Sequence, residues 1–419
     1  MPADLDTRVG TGQFELSDPV LTIPPSYRRV RLLVRFHGEV LGYLEEEAPA
    51  GGLDAADVRA RCVERYRTRI TEHLRAEGLP PLGDGFPAAT TACPTRPTTH
   101  PGVTLVVCTR DRASALGDCL AGLRALDYPH LEIVIVDNAP SDDSTRLVVA
   151  DLAGDDPRFR YVVEPRPGLS RARNRGAREA TGEIIVYTDD DVTVEPDWIT
   201  AVVRGFERAP GVGCVTGLVA TAAIEGPAER YFDARVTWAK NCVPKLYDLD
   251  RHRDTNPLYP YSPGIFGTGA NFAFRARALR HVGYFDEALG AGTLTRGGED
   301  LDAFVAVLRT GWVLAYEPNA VVWHHHRADP EALRGQMYGY GTGLSAFVTK
   351  HLLDRRSLLD VVRRLVPGAL RLATALRAAS DAPAHAPAET APPGVVRAEI
   401  RGLLAGPFLY VRARRKART

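Results

Sequence analysis

From residue 103 onward, short apolar runs alternate with segments whose apolar residues recur every three or four positions. VTLVVCT (103–109) predicts a buried strand, and 113–126 a helix. LEIVIVDN (131–138) predicts a second strand and 141–152 a second helix. RFRYVVE (158–164) reads as a third strand, 170–180 as a helix, and EIIVYTDDD (183–191) as a fourth strand ending in acid. Such alternation with short loops predicts an α/β fold, a mostly parallel sheet sandwiched by helices. Ligands of such sheets bind beyond the carboxyl ends of the strands. Thr109, Asp137, Asp189, Asp190 and Asp191 fall there.

The first 95 residues follow another pattern and predict a small α+β domain. VRLLVRF (30–36) alternates apolar and basic residues, HGE turns the chain, and VLGYLEE (40–46) returns. Asp54 opens a helix to about residue 76, with Val58, Cys62, Tyr66, Ile70 and Leu74 on one stripe. Residues 83–102 are rich in Pro, Thr and Gly and read as a connection, with the linker proper at 96–102. A central domain follows at 103–349, then a helical basic tail at 350–419 whose helical stretch (351–379) meets a Pro/Ala linker at 380–394.

Composition narrows the partners. The 419 residues are 45% hydrophobic and 25% charged, which excludes a mainly disordered chain, and net charge is zero, which argues against nucleic acid. Neutrality hides an asymmetry: from Lys350 onward 14 Lys/Arg face 5 Asp/Glu, so residues 1–349 are net acidic. Such a tail either rests on an anionic membrane surface or packs on the acidic body. The six cysteines include no C-x-x-C pair and read as reduced and intracellular. The N-terminus lacks signal-peptide order, and the longest uncharged run, 255–274, is a loop interrupted by Pro257, Pro260 and Pro263. The expected location is cytoplasmic, with peripheral contact at the inner face of the membrane open through the tail.

Five motifs carry candidate chemistry. Asp189, Asp190 and Asp191 crowd three carboxylates at a strand end, as a divalent cation site needs; a solvated acidic turn is the plainer alternative. Asp137 beside Asn138 suits hydrogen bonds to a nucleobase or ribose, or forms a turn. In PGLSRARNRGA (167–177), Ser170 caps a helix whose first turn carries Arg171 and Arg173, suited to a diphosphate; a solvated basic helix competes. Glu299 and Asp300 follow the glycine-rich LGAGTLTRGG (289–298), which suggests a general base under a mobile lid, or acids favourable to a helix dipole. WHHH (323–326) offers a histidine to the Asp189/Asp191 site, or is a polar strand end.

As a set these motifs resemble the family-2 glycosyltransferases of GT-A fold. The resembling segments are VVCTRDR, DYPHLEIVIVDNAPSDDST, GLSRARNRGAREATGEIIVYTDDDVTVEPDW, GTGANFAFRARALRHVGYFDEALG, GGEDLDAFVAVLRTGW and AVVWHHH, in family order over about 225 residues. The resemblance implies a nucleotide-sugar-binding set comprising Thr109, Arg110, Asp137, Arg171, Arg173, Asn174, Asp189, Asp190, Gly269 and Asn271. Thr109 and Asp137 would hold base and ribose, and Arg171 with Arg173 or Asn174 the diphosphate. Asp189 and Asp191 match the family's D-x-D motif, and Gly269 and Asn271 the loop near the transferred sugar. Asp191 and His324 would hold Mn²⁺ or Mg²⁺. Asp300 matches the catalytic base, with Glu299 beside it. The implied reaction is inverting transfer from a UDP- or GDP-sugar to a hydroxyl of a glycan, lipid-linked or natural-product acceptor. The Q-x-x-R-W motif of processive members is absent, since Gln336 is followed by MYGYGTG; transfer of one or a few sugars is expected. Two other classes compete: a sugar-phosphate nucleotidyltransferase, disfavoured because CTRDR lacks a glycine-rich phosphate loop, and a non-catalytic nucleotide-sugar-binding module.

Overall fold

In the computed structural model, residues 8–364 and 391–417 are described, except Thr22, Pro25, Ala50, Asp84, Thr237 and Pro263. Most of the expected 351–379 helix and of the 380–394 linker lies outside the described residues.

The N-terminal pattern produces a three-stranded sheet of β1 (Val9–Glu15), β2 (Arg29–Phe36) and β3 (Glu39–Glu47), backed by α1 (Ala55–Glu77). Asp54 caps α1 by accepting the Ala56 and Asp57 N–H groups at 2.9 and 3.0 Å. Phe14, Leu32, Val34 and Phe36 meet Val58, Cys62, Ile70 and Leu74 in one core. Strand β1, which pairs parallel with β2, was not anticipated from the sequence: VGTGQFE has too few apolar residues to signal a strand.

The central domain proceeds as β4 (Val103–Thr109), α2 (Ala113–Arg124), β5 (Leu131–Asn138), α3 (Ser144–Ala153), β6 (Phe159–Glu164), α4 (Leu169–Glu179) and β7 (Ile184–Thr188). It continues with β8 (Val192–Val194), α5 (Trp198–Glu207), β9 (Val212–Thr221), α6 (Pro227–Arg235), β10 (Lys245–Tyr247), β11 (Asn271–Arg275), α7 (Ala276–Val282), α8 (Glu299–Arg309) and β12 (Val313–His324). The sheet runs β10-β12-β9-β11-β7-β4-β5-β6, with β8 paired to β12. The β7-β4-β5-β6 half is parallel, as expected, while β8, β10 and β11 run against their neighbours. One apolar layer joins α2 and α5 to one face, and a second joins α4, α7 and α8 to the other. A mixed α/β sheet covered by helices on both faces results.

Two additions brace this body. Leu33 and Val40 share a core with Leu218, Ala220, Val321 and Trp323, so the N-terminal sheet packs on β9 and β12. On the other side, α9 (Pro330–Leu353) spans residue 350 and carries α10 (Val395–Ala417) along its length. Their contact is close enough to require glycine: a Cβ on Gly402 would sit 2.3 Å from the Tyr338 carbonyl oxygen.

Candidate active site

The carboxyl ends of β4 and β7, α9 and the loops before α8 enclose an open cleft of about 700 Å³. Its wall includes Thr109, Arg110, Arg173, Asp189, Asp190, Asp191, Gly269, Glu299, Asp300 and His324, ten of the fourteen residues singled out from the sequence.

At one end, β7 stops at Thr188 and the three aspartates form the turn into β8. The antiparallel register of β8 on β12 sets His324 opposite Val192, beside Asp191. Ligand atoms of Asp189, Asp191 and His324 therefore lie within 4.8 Å of one another. His324 Nε2 is 3.4 Å from Asp191 Oδ1. Burial lowers the imidazole's proton affinity, against the opposing pull of Asp191. Asp189 is pushed up to about 7 by burial, reinforced by Asp191, Asp190 and Glu299 against Arg173. Burial also opposes the charge of Asp191, but His324 and Arg112 outweigh it and hold this carboxyl below the usual range.

Asp190 faces differently. It accepts from Thr109 Oγ1 at 2.6 Å and binds Arg112, whose other nitrogen donates to Asp191 Oδ2 at 2.9 Å. The sequence reading missed Arg112 as a site residue, although the CTRDR motif contains it. Arg327, 3.9 Å from Asp191, was also missed; a cation just past the histidines of a strand end was its only signal.

At the other end, α8 begins at Glu299 after Gly298, whose φ of +90° favours glycine. The Asp300 Oδ1 atom accepts the Leu301 N–H at 2.8 Å. Its Oδ2 faces Gly269 so closely that a Cβ there would lie 3.1 Å from it and 3.1 Å from Arg173 Nη2. Between the ends runs Arg173, with its side chain only 3% exposed. It donates to Glu299 Oε1 at 2.9 Å and to the Gly269 carbonyl at 2.8 Å, and lies 3.6 Å from Asp189. Phe272 and Phe285 flank the guanidinium. Burial pushes Glu299 up to about 7 despite Arg173, and its Oε2 is buried without a partner.

Four residues stand back from the cleft. Asn271 is buried beneath it and ties three elements together. Its Nδ2 donates to the Leu218 and Ala320 carbonyls at 2.9 and 2.7 Å, and its Oδ1 accepts Trp198 Nε1 at 3.1 Å. Asn174 exchanges two 2.9 Å bonds with the Phe285 backbone. Arg171 pairs with Glu287 at 3.1 Å. Asp137 pairs in register with Thr109; its Oδ2 accepts from Tyr161 at 2.7 Å, and the Thr145 hydroxyl lies beside the same carboxyl. Burial pushes this carboxyl up. Ser170 does not cap α4: Gly168 occupies the cap, and the Ser170 hydroxyl is drawn inward to the Leu289 carbonyl at 2.8 Å. The glycine-rich 289–298 loop closes on itself, Gly290 N–H to the Gly297 carbonyl and Thr295 Oγ1 to the Ala288 carbonyl.

The aspartate end of this constellation sits on a stretch with known relatives, whereas Glu299, Asp300 and His324 lie beyond it: residues 104–283 match the sequence family described as glycosyl transferase family 2. Over that stretch the chain carries a family-2 glycosyltransferase domain. Among curated proteins, it is 27% identical over 289 residues to a pre-mycofactocin glycosyltransferase of Mycobacterium tuberculosis, covering 68% of this chain and 55% of that protein. It is 28% identical over 191 residues to a glucosyl-dolichyl phosphate glucuronosyltransferase of Haloferax volcanii, covering 45% and 57%. The chain thus spans just over half the length of these relatives. A mannosyltransferase of Pyrobaculum calidifontis, solved with GDP-Man and Mn²⁺, has the same fold at 22% identity and a TM-score of 0.50, covering 84% of this chain and 98% of that one.

Proposed function

We propose that this glycosyltransferase moves a sugar, with inversion and metal dependence, from a nucleoside-diphosphate-sugar to an acceptor hydroxyl. The observation that carries the reading is the shared cleft: the Asp189/Asp191/His324 cluster at one end and Asp300 at the other. A base and a diphosphate anchor must lie on opposite sides of the transferred carbon, and both groups line this one cleft.

The residues fit a divalent cation. Two carboxylates and an imidazole converge, and Asp189 retains a proton to about pH 7 where a cation could replace it. Asp189, Asp191 and His324 would hold Mn²⁺ or Mg²⁺, which supplies positive charge opposite a leaving diphosphate. The relative solved with GDP-Man and Mn²⁺ supports this. Arg112 and Arg327 add fixed positive charge at the same end. Asp137, at the end of β5 beside Thr109, would reach a ribose or a base only if the donor site extends past the cleft wall, since it is buried behind it.

Asp300 is the proposed general base. Its Oδ1 is held by the backbone, which aims Oδ2 along the cleft wall toward Gly269. Glu299 is turned to Arg173 and positions that wall. With Asp300 as the base and Glu299 turned to Arg173, the acceptor oxygen attacks the anomeric carbon directly. The base takes the hydroxyl proton as the nucleoside diphosphate leaves.

The acceptor side is suggested by α10. Glu399 and Leu403 reach the cleft, while Leu404 and Phe408 on the same helix are 77% and 70% exposed beside Arg401, Arg412 and Arg415. Exposed apolar residues among arginines suit an anionic membrane, hence a lipid-linked acceptor. No helix among the described residues is long and apolar enough to cross a membrane. A screen of UDP-, GDP- and dTDP-sugars with Mn²⁺, read as released nucleoside diphosphate, tests the function. Pyrophosphate release from a nucleoside triphosphate and a sugar phosphate, or no turnover with any donor, would refute it.

A further inference from the structure

A second cluster lies in the N-terminal domain, sharing no residue with the cleft. His37 comes from the turn between β2 and β3, His73 and Glu77 from successive turns of α1, and Cys93 from the connection at 83–102. All four are buried, and one ligand atom from each lies within 4.8 Å of all the others. Glu77 Oε2 is 2.7 Å from His37 Nδ1 and 3.3 Å from His73 Nε2, and Cys93 Sγ is 3.5 Å from His73 Nε2.

The outer contacts fix which ring nitrogens face inward as acceptors. His37 Nε2 lies 2.8 Å from the Pro87 carbonyl oxygen, which can only accept, so that nitrogen carries the proton. His73 Nδ1 lies 2.5 Å from Glu39 Oε2 and donates in the same way. In the neutral tautomers, His37 Nδ1 and His73 Nε2 then present lone pairs to the Glu77 carboxylate and the Cys93 sulfur. Four electron-rich atoms face each other among buried side chains, and a proton on His73 or a metal ion must sit among them. Histidine ligands of metals are held in this way, their second nitrogen on a carboxylate or a backbone carbonyl. Glu77 Oε1 is fixed by the Thr90 N–H, and Cys93 lies 3.0 Å from Thr95 Oγ1.

We propose that His37, His73, Glu77 and Cys93 form a structural zinc site. Two imidazoles, a thiolate and a carboxylate are a zinc donor set. Zinc–nitrogen and zinc–sulfur bonds of about 2.0–2.3 Å put tetrahedral ligand atoms roughly 3.3–3.6 Å apart. The His73–Glu77 and His73–Cys93 separations, 3.3 and 3.5 Å, already match. The His37–Glu77 contact needs to open by about 0.6 Å. Four protein ligands and no solvent-facing position make the site closed, which is structural rather than catalytic. Its effect is to staple the β2–β3 turn and the end of α1 to the segment that leads into β4.

The test uses the full chain, expressed without a histidine tag. Metal analysis after dialysis should find about one zinc per chain. Reloading with Co²⁺ should give tetrahedral d–d bands and a thiolate-to-cobalt charge-transfer band. The cleft cluster has no sulfur and cannot produce that band. Cys93→Ser should remove the band and the zinc, and Glu39→Gln should weaken zinc binding by roughly 10- to 100-fold. Wild-type protein without zinc and without a thiolate–cobalt band overturns the proposal, as does a Cys93→Ser variant that keeps both. If Cys93→Ser fails to fold, the wild-type cobalt spectrum and the Glu39→Gln titration decide. Protons alone would then hold the cluster if neither metal binds.

Discussion

Asp300→Asn separates catalysis from architecture. The substitution keeps the shape of the side chain, and an amide oxygen can still accept the Leu301 N–H that now reaches Oδ1 at 2.8 Å. What changes is Oδ2, which faces Gly269 and the Arg173 guanidinium. An NH₂ group there cannot take a proton from an acceptor hydroxyl. A positioned general base contributes about 10²–10⁴ in rate. At 1.36 kcal/mol per tenfold, that is roughly 3–5 kcal/mol of barrier. Asp300 is only half-buried, so losing its attraction to Arg173 should cost at most about 1 kcal/mol of stability. The expected outcome is kcat down by about two to four orders of magnitude, with nucleoside diphosphate affinity and denaturation midpoint near wild type. Turnover by coupled detection of released nucleoside diphosphate, calorimetric nucleotide binding and chemical denaturation measure the three. Transfer within about threefold of wild type would refute the assignment of the base. A large fall in the denaturation midpoint would show that Asp300 is a structural anchor instead.

Mn²⁺ binding should depend on pH, because Asp189 keeps its proton up to about 7 and a cation must displace it. Apparent affinity, measured by calorimetry, should rise from pH 6 to pH 8 and flatten above; a constant affinity would contradict the role of Asp189. Asn271→Ala should destabilise the fold by about 3–6 kcal/mol, since it leaves Leu218 O, Ala320 O and Trp198 Nε1 buried without partners. Denaturation curves check this, and a loss under about 1 kcal/mol would mean that water or side-chain shifts replace those bonds. Leu404→Glu with Phe408→Glu should abolish co-sedimentation with anionic liposomes while leaving transfer to a water-soluble acceptor unchanged. Equal partitioning of variant and wild type would remove α10 from any membrane contact.

The parallel half of the sheet was legible because each strand there is a continuous apolar run followed by its own helix. The antiparallel members were not. β8 and β10 are three residues each, and β11 gains its identity from pairing with β7 and β9 across long sequence separations. The same distinction governs the site. Acids at strand ends, Asp189 and Asp191, could be read locally, and so could the acids that open α8. Arg112 could not: its role depends on the turn after β7 folding back over the end of β4, 78 residues apart in sequence. Asn271 shows the converse. It occupies the expected motif position, but the close approach of β9 and β12 beneath it uses all of its hydrogen-bonding groups. Arg171 and Asn174 are likewise drawn to Glu287 and Phe285, because the loop after α7 packs on α4.

Arg173 is where local reading and geometry diverge most usefully. Its place in the first turn of α4 suggested a diphosphate ligand, yet the guanidinium lies buried between the two functional ends of the cleft. Asp189 lies 3.6 Å from one side of it and Glu299 2.9 Å from the other. A buried cation shared by two acids links their ionisation: charge added at Asp189 draws on the same guanidinium that stabilises Glu299. Displacement of the Asp189 proton by a metal would therefore be felt at Glu299, and through the Gly269 carbonyl on Arg173 Nη2 at the wall facing Asp300. Arg173→Lys keeps the charge but cannot hold both the carboxylate and the carbonyl in one fork. It should slow turnover and also weaken Mn²⁺ binding, whereas Asp300→Asn should do only the first. Loss of turnover with unchanged metal affinity in Arg173→Lys would show that the two ends act independently.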